Sequence, residues 1–265
     1  MPFTIAHSPD SDDAYMMAPL ARGWLDPEGF DFRFVRKDIE TLNGEALEGR
    51  YEVTAISFGA YPELADRYEL LTAGSSIQEG TGPLVVSREP MVPQDLRRVT
   101  VAIPGRRTSA YLALRKWMPD LRVALVPFDQ ILPAVAAGHY PAGLLIHESQ
   151  LMYQEQGLHL VQDLGAWWKA DCDLPLPMGG NAILASLPGP VKERFARLMR
   201  RSVELAMARH EESVDYAQSF GRGMDPAMVG RYVRAWVNGF TVDPGLRGRA
   251  AVARLLGMEP RWVQG

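Results

Sequence analysis

Short apolar runs bounded by Gly, Pro, Asn, Asp and Ser recur along the first two thirds of the chain, with helical patterns between them. The runs predict strands at residues 3–6, 32–35, 53–57, 70–73, 84–87, 99–103, 123–126, 142–146 and 158–161. Most are apolar at successive positions, as strands covered on both faces are. Strand and helix alternate through about residue 170, which argues for βαβ units, a mostly parallel sheet and the α/β class. From about Pro188 the strand pattern stops. Val191, Phe195, Leu198, Ser202 and Ala206 then recur at helical spacing, followed by Met228, Val229, Tyr232, Val233, Trp236 and Val237, and by Ala250, Ala251, Leu255 and Leu256. The last third is therefore expected to be helical.

Two glycine-rich stretches punctuate this pattern: residues 74–82 precede the strand at 84–87, and Met178-Gly179-Gly180-Asn181 precedes the apolar run 182–185. Taken as crossings, they predict one discontinuous domain of residues 1–87 and 186–265, with a second domain, residues 88–185, inserted in it. Two ordinary turns are the alternative, because Gly marks plain loops as readily. A length of 265 residues accommodates one large domain or two medium ones.

Composition narrows the chemistry. Hydrophobic residues at 47% and charged residues at 23% exclude a disordered or fibrous chain. A formal net charge of −4 offers no general attraction to nucleic acid or anionic membranes, and neither is expected as a partner. The first residues lack the cationic and apolar segments of a secretory signal, and no run approaches the roughly 18 apolar residues of a membrane helix. A cytoplasmic location is expected. With Cys172 alone, no internal disulfide or cysteine-based metal cage can form. Walker-type, dinucleotide-binding, serine-hydrolase and zinc-protease motifs are missing from the sequence.

Candidate chemistry gathers where predicted strands meet helices, since open α/β sheets bind ligands beyond the carboxyl ends of their strands. Asp10, Asp12 and Asp13 follow the first strand. An EF-hand starting at Asp10 would need Gly and Glu where Tyr15 and Ala21 stand, so calcium is not expected, and Asp12 reads as a helix N-cap that can also touch substrate. Arg106, Arg107, Thr108 and Ser109 precede a helix at 110–117 and read as a carboxylate cradle or as plain capping hydroxyls beside solvated arginines. Ser57, ending the third strand, carries the same two readings. His147 ends the apolar run 142–146, where a neutral imidazole can accept a proton, although a hydrogen-bonded structural histidine is the alternative. His7 is similarly placed; His139, His159 and His210 read as surface or turn positions. Trp167 and Trp168 read as core.

Ser8-Pro9 with Asp12-Asp13, the run 38–43 (DIETLN), Ile56-Ser57, the run 82–86 (GPLVV), Pro104-Gly105-Arg106 with Thr108, Ile146-His147-Glu148, the run 163–168 (DLGAWW) and the run 174–177 (LPLP) together resemble 1,4-dihydroxy-6-naphthoate synthase, the lyase of the futalosine route to menaquinone. The resemblance spans nearly the whole chain. It implies a two-lobed, type II periplasmic-binding-protein-like fold with mixed, mostly parallel sheets, and a small anionic substrate, cyclic dehypoxanthinyl futalosine, bound between the lobes. It implies neither metal nor organic cofactor. His147 falls on the family's proton-accepting histidine, and Ala55, Ile56 and Ser57, with Thr108, Ser109 and Ala110, fall on its substrate-contacting stretches. Asp12, Asp13 and Arg106 belong to the same candidate set. Where many members carry Asn-Asp-Thr this chain has Asp12-Asp13-Ala14, and Arg107 stands where some have histidine. The activity implied is cleavage of that substrate to 1,4-dihydroxy-6-naphthoate with release of dihydroxyacetone. Alternatives are the chorismate dehydratase of the same pathway and a non-catalytic cytoplasmic small-anion-binding protein. No oligomeric state follows from the sequence.

Overall fold

The computed structural model describes residues 2–220 and 225–265; Met1, part of the amino-terminal stretch read above, and residues 221–224 lie outside the described residues. The chain forms β1 (Phe3–His7), α1 (Ser11–Ala21), β2 (Phe32–Arg36), α2 (Ile39–Ala46), β3 (Val53–Ser57), a 3-10 turn leading into α3 (Tyr61–Leu64), β4 (Tyr68–Leu71) and β5 (Ser76–Gln78). There follow β6 (Leu84–Ser87), β7 (Thr100–Ile103), α4 (Ser109–Trp117), β8 (Arg122–Leu125), α5 (Phe128–Ala136), β9 (Ala142–Leu145), α6 (Ser149–Met152), β10 (His159–Asp163) and α7 (Leu164–Cys172). The remainder is β11 (Leu176–Leu184), α8 (Gly189–Ala208), α9 (His210–Gln218), α10 (Pro226–Trp236), α11 (Gly239–Val242), α12 (Gly245–Leu256) and β12 (Trp262–Val263). Contacts divide it into two compact units, Met1–Ile77 with Pro177–Gly265, and Gln78–Leu176.

The first unit holds a sheet of order β12-β4-β11-β3-β1-β2, with β5 also on β11. β1 runs parallel to β2 and β3, whereas β11 runs antiparallel to both β3 and β4. β12 runs parallel to β4, so the sheet is mixed. α1 is buried nearly all round, from Ala14 to Leu20, and packs against α8 and α9. Phe3, Ile5, Met16, Met17, Phe195, Met199, Val203, Val229 and Val233 form the core, each worth roughly 1.5–3 kcal/mol when fully buried. Ser202 sits on the apolar stripe of α8 because its hydroxyl donates to the Met16 carbonyl at 2.7 Å, which satisfies it in the interior. In α12 the buried face is Gly248, Ala251, Val252 and Leu255; Ala250 is exposed, because the helix begins at Gly245 and its phase turns the expected stripe.

The second unit holds a sheet of order β10-β6-β9-β7-β8. β7 is parallel to β8 and β9, and β6 is antiparallel to β9 and β10. Leu84–Ser87, placed in the first domain by the glycine-based reading, pairs in this second sheet, so the crossing falls before β6 rather than after it.

The return crossing is earlier too. Gly179, Gly180 and Asn181, read as a loop, lie inside β11 and pair with Ser57, Ile56 and Ala55. Close approach favours glycine there: a Cβ on Gly179 would stand 3.0 Å from the Ile56 carbonyl oxygen, and one on Gly180 3.0 Å from the Phe58 ring. The two small strands β5 and β12 also escape the periodicity.

Gly165, at the start of α7, abuts the loop before β6, where a Cβ would stand 2.0 Å from the Thr81 carbonyl carbon and 2.4 Å from the Gly82 nitrogen. Both neighbours are backbone and cannot rotate away. Gly165→Ala is expected to destabilise the protein by about 1–3 kcal/mol or more, read as a lowered denaturant midpoint.

Candidate functional site

In the second unit the parallel strands β9, β7 and β8 end on one edge, and the loops leaving that edge carry the candidate residues. His147 follows β9 with φ 55°, a left-handed conformation that costs an ordinary residue roughly 1–2 kcal/mol. The turn is fixed by the Ser149 hydroxyl, which donates to the Ile146 carbonyl at 2.5 Å, and by the Gln150 N–H, which donates to the His147 carbonyl at 3.2 Å. Strain of this kind persists where surrounding contacts hold it, and it concentrates at sites of function. The His147 imidazole lies against the Phe128 ring, centroids 5.2 Å apart and planes inclined at 71°. Glu148 occupies the N-cap position of α6 without a capping side-chain bond.

Thr108 is the N-cap of α4: its hydroxyl oxygen accepts from the Tyr111 N–H at 3.1 Å and its O–H donates to the Gly105 carbonyl at 2.9 Å. Both bonds shape the loop. Ser109 and Ala110 are buried in the first turn, where the helix presents its positive end. Arg106 is exposed; its guanidinium lies over the Tyr111 ring, 6.0 Å from the centroid, and donates to the Tyr111 hydroxyl at 3.4 Å.

In the first unit the loop after β1 is packed with polar groups: Ser8, Asp10, Ser11 and Asp12 are all buried. The helix starts earlier than the sequence suggested, so Asp10 takes the N-cap position and Asp12, read as the cap, lies inside the first turn. The Asp12 carboxylate accepts instead from the Ser76 hydroxyl at 3.3 Å. Asp13 accepts from the Ser8 N–H at 2.9 Å. Its residue surface is only half-buried, but the carboxyl itself is enclosed, and that desolvation, with Asp12 and Asp10 adding to it, raises its pKa well above the usual carboxylate range against the opposing Ser8 N–H. Ala55, Ile56 and Ser57 are buried at the end of β3.

The Ser57 N–H donates to Asn43 Oδ1 at 2.9 Å, which assigns the Asn43 amide orientation because only oxygen can accept there. Asn43 entered the sequence reading only as the last residue of a run; an Asn inside a helix, where it is a poor former, was the available sign. Phe128 was passed over, since a single aromatic beside Pro127 has no pattern to mark it.

His7 is fully buried. Its Nδ1–H donates to the Ser8 carbonyl at 2.7 Å, while Nε2 has no partner among the described residues. Desolvation lowers its pKa to about 4, helped by nearby Arg36 and opposed by the Ser8 bond and Asp10. His139 and His159 are exposed. His210 is no bare surface residue: it bridges the Tyr15 hydroxyl, 3.0 Å from Nδ1, and Arg234, whose guanidinium donates to Nε2 at 2.7 Å. Trp168 is core, its indole N–H donating to the Pro175 carbonyl at 3.0 Å, and half-buried Cys172 donates to the Trp168 carbonyl at 3.2 Å. Among the described residues no helix is long and apolar enough to cross a membrane.

Two mixed sheets flanked by helices, on a chain that leaves its first unit and returns to it, define an α/β protein of the periplasmic-binding-protein-like fold. A Candida albicans protein described as having that generic fold superimposes with a TM-score of 0.70 at 8% identity, over 97% of this chain and 89% of its own. The chain belongs to the menaquinone biosynthesis family, whose model matches residues 3–260. It is 39% identical over 251 residues to the 1,4-dihydroxy-6-naphthoate synthase of Thermus thermophilus, covering 95% of this chain and 91% of the relative. The Streptomyces coelicolor protein of the same name is 37% identical over 259 residues, covering 95% and 90%. A crystal structure of an Archaeoglobus fulgidus protein matches with a TM-score of 0.92 and 40% identity, over 96% of this chain and 95% of that one. The resemblance read from the sequence is borne out.

The buried His7 makes stability depend on pH with a definite sign. A histidine whose folded pKa lies below its unfolded value binds more protons unfolded, so its contribution is intact above about 6.5 and is lost as pH falls toward about 4. Between pH 7 and pH 5 it should remove about 2 kcal/mol of unfolding free energy. Asp13, raised, works with the opposite sign, so the effect is isolated by difference: in denaturant titrations His7→Gln should lose that part of the slope.

Proposed function

We propose that this protein is a 1,4-dihydroxy-6-naphthoate synthase, a carbon–carbon lyase that converts cyclic dehypoxanthinyl futalosine to 1,4-dihydroxy-6-naphthoate with release of dihydroxyacetone. Identities of 37–39% across 95% of the chain to two enzymes of that name carry the reading. His147 is the proton acceptor. Its backbone strain and its place at the end of a parallel strand support the role, because a general base must be held in one geometry toward the proton it removes. Proton abstraction starts fragmentation of the sugar-derived ring, and the aromaticity of the naphthoate draws the reaction forward.

Ser57, with Ala55 and Ile56, and Ser109, with Ala110, contact the substrate; Thr108 shapes the second stretch through its cap, and the α4 N-terminus favours the substrate's negative charge. Asp12, Asp13 and Arg106 remain in the binding set; enclosure of the Asp13 carboxyl favours its protonated form more than in an ordinary carboxylate. The protein acts in the cytoplasm on a small anion and needs no metal or organic cofactor, and its first unit is a discontinuous domain with the second inserted in it.

Incubation of the purified protein with cyclic dehypoxanthinyl futalosine should yield 1,4-dihydroxy-6-naphthoate and dihydroxyacetone by mass spectrometry. Turnover of chorismate to 3-enolpyruvylbenzoate, or binding without product, would replace this reading. His147→Ala should lower kcat by about 10²–10⁴-fold with KM nearly unchanged; wild-type turnover in that variant would remove His147 from the mechanism.

A further inference from the structure

We propose that Phe128 is a positioning residue for the reaction, holding the His147 imidazole in the orientation from which it takes the substrate proton. This inference rests on His147 being the base. It starts from where Phe128 does not belong: the core of the second unit is built from Leu84, Val86, Ala102, Ile131, Val135 and Leu145 among others, and Phe128 is outside it, half-buried. A large aromatic left out of the core still needs a reason for its place.

Its backbone is fixed on both sides. The preceding Pro127 has φ −49°, the Val126 N–H donates to the Ile103 carbonyl at 3.0 Å, and the Gln130 N–H closes the first turn of α5 on the Pro127 carbonyl at 2.8 Å. The start of α5 is thereby tied to β7, the strand beside β9. His147, strained and pinned by its own turn, meets it from the β9 side. Two rigid backbones thus bring the rings together in the edge-to-face arrangement that aromatic pairs prefer, 5.2 Å between centroids and 71° between planes.

The backbone conformation of His147 does not by itself select its ring orientation, which depends on what the side chain touches in each χ1 and χ2 rotamer. The Phe128 ring limits that rotation. Such a contact acts on the chemical step more than on binding, because a misdirected base loses rate while the substrate is still held. An aliphatic residue of similar volume would fill the space without the ring's directional preference.

Phe128→Leu should lower kcat by roughly 3–10-fold with KM within about twofold, and Phe128→Tyr, which keeps the ring, should restore most of kcat. A rise in KM with kcat unchanged, or equal activity of the Leu and Tyr variants, overturns the inference. In the wild-type protein, NMR should show cross-relaxation between the ring protons of Phe128 and His147; its absence overturns the inference whether or not the Leu variant folds. If His147→Ala retains turnover, the assignment of the base fails; if that variant is inactive while Phe128→Leu behaves as wild type, the positioning role alone fails.

Discussion

The antiparallel strand β11 is the constraint on which the first unit depends. It lies between β3 and β4 and bonds to both, so a segment more than a hundred residues downstream holds these two strands together. Without it the β4–β12 pair would be cut off from β3, and the core that Phe3, Ile5 and Val53 share with Met16 and Phe195 would lose Ile183 of β11. Gly179 and Gly180 let the Ile56 carbonyl and the Phe58 ring lie close against the strand, where a Cβ would meet each at 3.0 Å. Asn181 adds a bond to the Gly74 carbonyl at 3.0 Å, fastening the segment before β5 to the same strand.

What the fold provides to chemistry is a set of strand ends, and each unit uses them differently. In the first, the loop after β1 is a closely hydrogen-bonded knot of serines and aspartates, and Ser57 is located by Asn43 through its backbone. In the second, the groups are spaced by the parallel order β9-β7-β8: Thr108 spends both hydrogen-bonding functions of its hydroxyl on its own loop, while His147 and Phe128 present rings. Thr108 and His147 stand side by side as candidate polar residues in the sequence; in the structure Thr108 caps α4, and His147 follows β9 with its ring against Phe128.

Much of this was legible in advance. Nine apolar runs became strands because uninterrupted Val, Ile, Leu and Ala has few other uses at that length, and His147 stood out because it ends one of them. β11 was not legible: Pro177, Gly179, Gly180 and Asn181 are turn residues by propensity, and tertiary close approach reversed their meaning. Asp12 was misplaced by two residues for a related reason, since Asp10, Asp12 and Asp13 compete equally for a cap and only the helix register chooses. Phe128 and Asn43 gain significance from neighbours distant in sequence, which periodicity does not report.

The interrupted ladder also imposes an order of assembly. Every strand of the second sheet lies between Leu84 and Asp163, so that unit has all its partners as soon as its own segment has been made. The first unit cannot close its sheet until Leu176–Leu184 has emerged far downstream, and β12 lies almost at the carboxyl terminus. Until then the edge of β3 that β11 will cover is open to pairing with other chains. Loop-closure entropy slows such distant pairing, so this sheet closes after the one inserted in it and depends longer on the cell's protection against misassembly.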